Sequence, residues 1–143
     1  MMRKVFIDAN IPMYAAGAEH PFKAPSLRVL EAAARRQIAA VTDAEVFQEI
    51  MHRYSSLGHR ENGAEVAELF LQVVQDVLPV TRKDIVEALA LYRRYPNVQA
   101  RDTVHAAVMQ SNDVTLIVTA DRHFDRFVGL QRVDPVNFEE ATL

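Results

Sequence analysis

The sequence predicts an α/β fold built on a mostly parallel sheet. Short apolar runs of strand length alternate with longer stretches in which apolar residues recur every three or four positions. Strands that alternate with helices in this way are typical of a layered α/β domain. No repeat, low-complexity tract or linker interrupts the pattern, so residues 1–143 are expected to form a single domain.

Five short runs have the apolar, β-branched character of strands. They are Lys4–Ile7, Ile38–Val41, Leu78–Val80, Thr115–Val118 and Gln131–Val133. The first of them ends abruptly in Asp8. The order of the strands in the sheet does not follow from these runs.

Five helix-length stretches lie between the strands. Ser26 is expected to cap the first and Thr42 the second, because a hydroxyl oxygen accepts a hydrogen bond from the first helical turn. The second is expected to end at Leu57-Gly58-His59, the third follows a break at Asn62-Gly63, and residues Val104–Met109 begin the fifth. The apolar stripes expected on the first four are Leu27, Leu30, Ala33 and Ala34; Val46, Phe47, Ile50 and Tyr54; Val66, Leu69, Phe70 and Val73; and Ile85, Ala88, Leu89 and Tyr92.

The composition narrows the chemistry. Half of the 143 residues are apolar, which is enough for a core without cross-links, and there is no cysteine to supply a disulfide, a thiolate zinc site or a nucleophile. No apolar segment has the length of a membrane span, so a soluble, cytoplasmic protein is expected. The net charge of -3 argues against nucleic-acid binding through a basic surface. A phosphate substrate would therefore need bound cations.

Four acids stand at positions that favour a function. Asp8 and Asp121 follow apolar strands, and the ligand crevice of an open α/β sheet lies at the carboxyl ends of its strands. Glu49 and Asp102 lie in or at the start of apolar helical stripes, where an unpaired carboxylate is costly. Each has an ordinary explanation as a cap, a turn residue, a first-turn acid or a solvated edge. If all four converge, their repulsion requires a divalent cation such as Mg²⁺.

The segments FIDANIPMY, TDAEVFQEI, ARDTVHAAVM and TLIVTADRHFDRF resemble the successive motifs of PIN-domain ribonucleases, especially VapC-type toxins. The resemblance spans nearly the whole chain. It implies a three-layer α/β/α sandwich and Mg²⁺- or Mn²⁺-dependent endonucleolytic cleavage of RNA. By the match, the catalytic and metal-binding acids are Asp8, Glu49, Asp102 and Asp121, the supporting polar residues are Asn10 and Thr119, and Asp125 is a possible fifth acid.

The same resemblance implies partners. A VapC-type toxin binds a cognate VapB-like antitoxin and commonly forms a homodimer, and Arg122 and Arg126, beside Asp121, are candidates for RNA contacts. Glu45 lies one turn before Glu49 and competes with it for the ligand role. His105 lies one turn after Asp102, where a packed or hydrogen-bonded histidine beneath that acid is the expected role.

Other functions fit less well. A phosphatase with an aspartyl nucleophile would need an acid where Asn10 stands, and a response-regulator receiver would need an adjacent acidic pair early in the chain. A catalytically silent PIN-like module that binds RNA or a protein is the remaining alternative. Metal-dependent cleavage of RNA separates that alternative from the nuclease.

Overall fold

The computed structural model describes residues 2–139 and 143. Within these residues, strands and helices alternate along the chain. They are β1 (Lys4–Ile7), α1 (Asn10–Ala16), α2 (Lys23–Ala34), β2 (Ala39–Asp43), α3 (Ala44–Ser56), α4 (Arg60–Val73), β3 (Asp76–Leu78), α5 (Arg82–Arg94), α6 (Ala100–Ser111), β4 (Leu116–Val118) and β5 (Gln131–Val133). One short 3₁₀ turn lies between β4 and β5, at Arg122–Arg126, and another follows β5, at Pro135–Asn137. Among the described residues, no helix combines the length and apolarity that a membrane crossing requires.

The five strands form one sheet in the order β3-β2-β1-β4-β5, and every neighbouring pair is parallel. From β1 the chain adds β2 and β3 on one side of the sheet, and it then returns to add β4 and β5 on the other side. The strand order therefore reverses between β1 and β4. Right-handed crossovers place α1–α4 on one face and α5 and α6 on the other, which makes three layers. The predicted α/β fold with a parallel sheet is confirmed, and its switch point is where such sheets bind ligands.

The central strands carry the core. Val5, Phe6 and Ile7 of β1 have no exposed surface, and β4 beside it is equally buried. Strands that are covered on both faces need apolar side chains at every position. This explains why these strands could be predicted from continuous apolar runs in the sequence. The register pairs Ile7 with Val118, so the residues that follow these two strands emerge side by side at the carboxyl edge.

Two predicted helix caps are wrong. Ser26 lies inside α2, which begins earlier with Phe22 at its N-cap. Asp43 rather than Thr42 caps α3, where its Oδ1 accepts a hydrogen bond from Val46 N at 3.0 Å. Thr42 belongs to β2 and its Oγ1 donates instead to Ile7 O across the sheet at 2.9 Å. Strand β2 therefore runs further than predicted, and this shift turns Asp43 inward.

Several boundaries also differ from the predictions. Helix α1 was not predicted, since it spans only seven residues and contains Pro12, whose missing N–H is tolerated in a first turn. The Asn62-Gly63 pair lies inside α4 and does not break it, and β3 is formed by Asp76–Leu78. The predicted stripes do not all face the core, because exposure is 43% or more for Leu27, Leu69, Ile85, Leu89 and Tyr92.

Gly63 occupies a tight point between α3 and α4. A Cβ at this position would lie 2.7 Å from Tyr54 Cβ, although alanine is normally favoured over glycine within a helix. We expect Gly63→Ala to lower the free energy of unfolding by about 1–3 kcal/mol, as overpacking does. Urea denaturation measures the change, with Asn62→Ala in the same exposed turn as the control. If Gly63→Ala stabilised the protein as much as Asn62→Ala does, the close contact between residue 63 and Tyr54 would be contradicted.

Candidate active site

Asp8 lies at the switch point between β1 and β4. Its backbone N donates to Val118 O at 3.2 Å, and the residue is 4% exposed. The carboxylate is surrounded by donors: Oδ1 accepts from Ala9 N at 2.8 Å, and Oδ2 accepts from Thr119 Oγ1 at 2.7 Å and from Asn10 Nδ2 at 3.3 Å. Burial nevertheless raises the pKa of Asp8, and the negative charge of nearby Glu49 adds to the rise. A nearby cation would relieve this cost.

Thr119 and Asn10 join the two strand ends. Thr119 Oγ1 donates to Asp8 and accepts from Asn10 Nδ2 at 2.8 Å and from Asp121 N at 3.0 Å. Asn10 Oδ1 accepts from Ala120 N at 3.2 Å. The loop that carries Asp121 is thereby fixed against the loop that carries Asp8. Both small polar residues singled out in the sequence contact the acid that they were expected to support.

Asp102 lies in the first turn of α6 and is 3% exposed. Its Oδ2 is buried and makes no hydrogen bond within the described part of the chain. Burial, followed by the negative charges of Asp8, Asp121 and Glu49, raises the pKa of Asp102 to about 7. A buried carboxylate oxygen without a donor, among other carboxylates, is unusual in a folded protein and indicates a place for a cation.

His105 contacts the acids from below. Its ring is fully buried; Nδ1 lies 2.7 Å from Asp43 Oδ2, and Nε2 lies 2.8 Å from Glu49 Oε2 and 3.9 Å from Asp8 Oδ1. Burial alone would lower the pKa of His105, but the charge of Asp43 and the two carboxylate hydrogen bonds raise it well above its ordinary value. The ring is buried and hydrogen-bonded, and because its partners are Asp43 and Glu49 it bridges α6 to α3.

Glu49 points into the same pocket from α3. One oxygen contacts His105, and the other, Oε1, lies 2.8 Å from Nε of Arg101. The Arg101 side chain is 47% exposed and the Glu49 side chain 13%, so the guanidinium covers the acid from the solvent side. Glu45 lies on the wall of the adjoining cavity, and burial raises the pKa of its carboxyl.

The carboxylates form two groups with the geometry of metal ligands. Asp8, Glu49 and His105 make one, and Asp102, Asp121 and His123 make the other; within each group the candidate ligand atoms lie within 4.8 Å of one another. The charges of Asp8, Glu49 and Asp121 all act on Asp102, so the two groups lie close enough to interact. Carboxylate oxygens are the ligands that hard divalent cations prefer, so the residues present fit such an ion.

The remaining predicted residues lie just outside this pocket. Asp125 is held by Arg132 through two hydrogen bonds of 2.9 and 3.3 Å. Arg126 donates to Asn97 O at 3.1 Å, and Arg122 is exposed; both belong to the 3₁₀ turn that follows Asp121.

Sequence reasoning missed the roles of Asp43, Arg101 and His105. The Arg-Asp-x-x-His spacing placed His105 near Asp102 on α6, but no pattern linked it to Asp43, which lies 62 residues earlier in the chain. Only the fold brings this pair together.

A solvent-filled cavity of about 650 Å³ opens beside Glu49, which is a volume typical of ligand sites. Polar and charged side chains line much of it, among them Gln48, His52, Arg53, Gln99 and Arg101. Of the four predicted acids, Glu49 is the one that lines this cavity.

Comparisons with known proteins agree with this geometry. The PIN domain family model matches residues 5–130. Ribonuclease VapC13 of Mycobacterium tuberculosis is 42% identical over 129 residues, which cover 90% of this chain and 98% of that protein. Ribonuclease VapC23 of the same organism is 35% identical over 117 residues, which cover 82% and 92%.

Solved structures share the fold at lower identity. VapBC2 from Rickettsia felis, bound to a DNA fragment from its promoter, matches with a TM-score of 0.71 and 19% identity over 91% of this chain and 97% of that one. VapC20 of Mycobacterium tuberculosis, described as a sarcin-ricin loop cleaving toxin, matches with a TM-score of 0.70 and 17% identity over 88% and 98%.

Proposed function

Because the chain belongs to the PIN-domain family, as its motifs predicted, we propose that it is a metal-dependent endoribonuclease and the toxin of a toxin–antitoxin pair. The observation that carries this proposal is the pocket in which Asp8, Glu49, Asp102 and Asp121 meet around a buried carboxylate oxygen without a donor. The relatives named as ribonucleases support the reaction class. A merely structural cluster of acids would not leave Asp102 Oδ2 unpaired.

The cofactor we propose is Mg²⁺ or Mn²⁺. Asp8 and Glu49 would hold one ion, and Asp102 and Asp121 would help to hold the same ion or a second one. When bound, such an ion offsets the charge of a phosphodiester and lowers the pKa of a bound water. The chain has no cysteine that could act as a nucleophile instead.

The side chains around the acids orient them for this role. Thr119 and Asn10 donate to Asp8 Oδ2 and leave Oδ1 with one backbone donor. In the proposed reaction water attacks the phosphorus and loses a proton, the bond from phosphorus to the 3′ oxygen breaks, and that oxygen takes up a proton. The products carry a 5′ phosphate and a 3′ hydroxyl, without a covalent enzyme intermediate or a 2′,3′-cyclic phosphate. Arg101 must leave Glu49 Oε1 before that oxygen binds a cation.

RNA is the proposed substrate, and its phosphates need cationic side chains around an acidic pocket. Arg122 and Arg126 follow Asp121 directly and lie on the exposed side of the 3₁₀ turn. Arg53 and Arg101 line the cleft beside Glu49. We propose that these four arginines contact the RNA backbone and that the cytoplasm is the site of action.

The proposed partners are a VapB-like antitoxin and a second copy of the chain. Structures of VapBC complexes from Rickettsia felis and Salmonella typhimurium share this fold. Exposed apolar side chains on α5, at Leu89 and Tyr92, and beside an apolar groove, at Leu27 and Leu69, are available to such partners. Apolar surface of this kind commonly marks protein interfaces.

A digest of total RNA tests the proposal. The purified protein is incubated with Mg²⁺, with Mn²⁺, without added metal and with EDTA, and the cut sites and end groups are mapped by sequencing. We expect cleavage only with a divalent ion and ends that carry a 5′ phosphate. Cleavage in EDTA or cyclic phosphate ends would contradict the mechanism, and RNA binding without cleavage would favour the silent module.

A further inference from the structure

We propose that Asp43 and His105 form a positioning pair that holds the Glu49 carboxylate in its metal-binding orientation. This inference rests on the proposed function, because Glu49 needs a fixed orientation only if it binds an ion. Neither residue of the pair belongs to the four acids of the predicted site. Both are fully buried, in contrast to the partly exposed Glu49 that they reach.

The hydrogen bonds of His105 determine which way the pair acts. Each ring nitrogen faces a carboxylate oxygen, Nδ1 at 2.7 Å from Asp43 and Nε2 at 2.8 Å from Glu49. The imidazole ring therefore joins the Asp43 carboxylate on one side to the Glu49 carboxylate on the other. Charge-assisted hydrogen bonds of this length are stronger than neutral ones.

Asp43 cannot adjust its position, because it serves two elements at once. Its Oδ1 accepts from Val46 N as the N-cap of α3, and its Oδ2 accepts from His105 Nδ1. The Phe6 ring packs against the imidazole with 5.5 Å between ring centroids. The orientation of the His105 ring is thus fixed by Asp43, the N-cap of α3, at Nδ1 and by Phe6 of β1 against one face of the ring.

The fixed ring in turn restricts Glu49. A glutamate side chain has several rotatable bonds, and an unrestrained one would lose entropy on binding an ion. With Oε2 held by His105, Oε1 is the oxygen that becomes free for a cation when Arg101, which now pairs with it, moves away. His105 Nε2 also lies 3.9 Å from Asp8 Oδ1, so the ring stands between the two acids.

Two amide substitutions separate positioning from simple core packing. The amide nitrogen of asparagine can occupy the place of imidazole Nδ1, and that of glutamine can reach the place of Nε2. His105→Asn therefore keeps a donor for Asp43 and loses the donor for Glu49, whereas His105→Gln does the reverse. Both variants lose the ring, its charge and one buried hydrogen bond, so each is the matched control of the other.

Mn²⁺ affinity, measured by isothermal titration calorimetry on the full chain, is the decisive readout. We expect His105→Asn to bind Mn²⁺ about 10–100-fold more weakly, the usual cost of losing a partner of a metal ligand. His105→Gln should bind close to the wild-type affinity. An equal change in the two variants, or none in either, would overturn the positioning role. Wild-type protein without Mn²⁺ affinity would instead count against the proposed function.

Discussion

Asp8→Asn is expected to abolish metal-dependent RNA cleavage and to leave the fold intact. Asparagine matches the shape of aspartate and keeps one carbonyl oxygen, but it removes the negative charge that a divalent cation needs. Losing a partner of a metal ligand already costs about 10–100-fold, so losing the ligand itself should lower kcat by at least about 100-fold. The rate of cleavage of a mapped RNA site at saturating Mn²⁺ measures the effect.

Folding should survive this change for a specific reason. Burial raises the pKa of Asp8, so the ionised form is disfavoured in the metal-free protein and a neutral amide relieves that cost. Asp113→Asn is the matched control, since Asp113 is exposed and has a φ of 56°, a conformation that asparagine tolerates well. Unchanged cleavage by Asp8→Asn would remove Asp8 from the catalytic site.

The four acids were predictable because each breaks a local pattern. Asp8 and Asp121 follow strands that stand out in the sequence as continuous apolar runs, because both faces of β1 and β4 are buried. Glu49 and Asp102 are carboxylates in apolar stripes, which is costly without a partner. Their convergence, by contrast, depends on strand order and on helix placement, which the local patterns do not give.

The Asp43–His105 pair was beyond sequence reasoning. Thr42 and Asp43 are both good capping residues, and the choice depends on where β2 ends. A shift of one residue along a strand moves a side chain to the other face of the sheet. The apolar residues exposed on α4 and α5 show why burial was also mispredicted. In the sequence, an apolar helix face that packs on the core has the same pattern as one that is exposed.

The metal-free protein is expected to lose stability as the pH rises, and Asp102 is the main reason. Burial and the neighbouring acids raise its pKa to about 7 in the folded state, compared with 3.8 in the unfolded chain. Between these two values the folded state holds a proton that the unfolded state has released. The free energy of unfolding therefore falls through this window, by at most about 4 kcal/mol from this group.

Urea denaturation in EDTA at about pH 5 and about pH 8 measures this fall. Asp102→Asn should be more stable than the wild type at the higher pH and should lose part of the pH dependence. Asp8, Glu45 and His105, whose pKa values are also raised, account for the remainder. The pKa of Asp84 is lowered by hydrogen bonds that outweigh the effect of its burial. Asp84 therefore changes the free energy of unfolding only at pH values below the measured range.

A divalent cation should cancel the loss, because an ion bound by the ionised carboxylates stabilises the folded state above the pKa of Asp102. The same denaturation experiment with saturating Mg²⁺ should then give the wild type nearly equal stability at the two pH values, whereas Asp102→Asn gains little from the ion. Parallel pH profiles for the two proteins in EDTA would mean that Asp102 is ionised without cost, and the unpaired buried oxygen would lose its significance as a metal ligand.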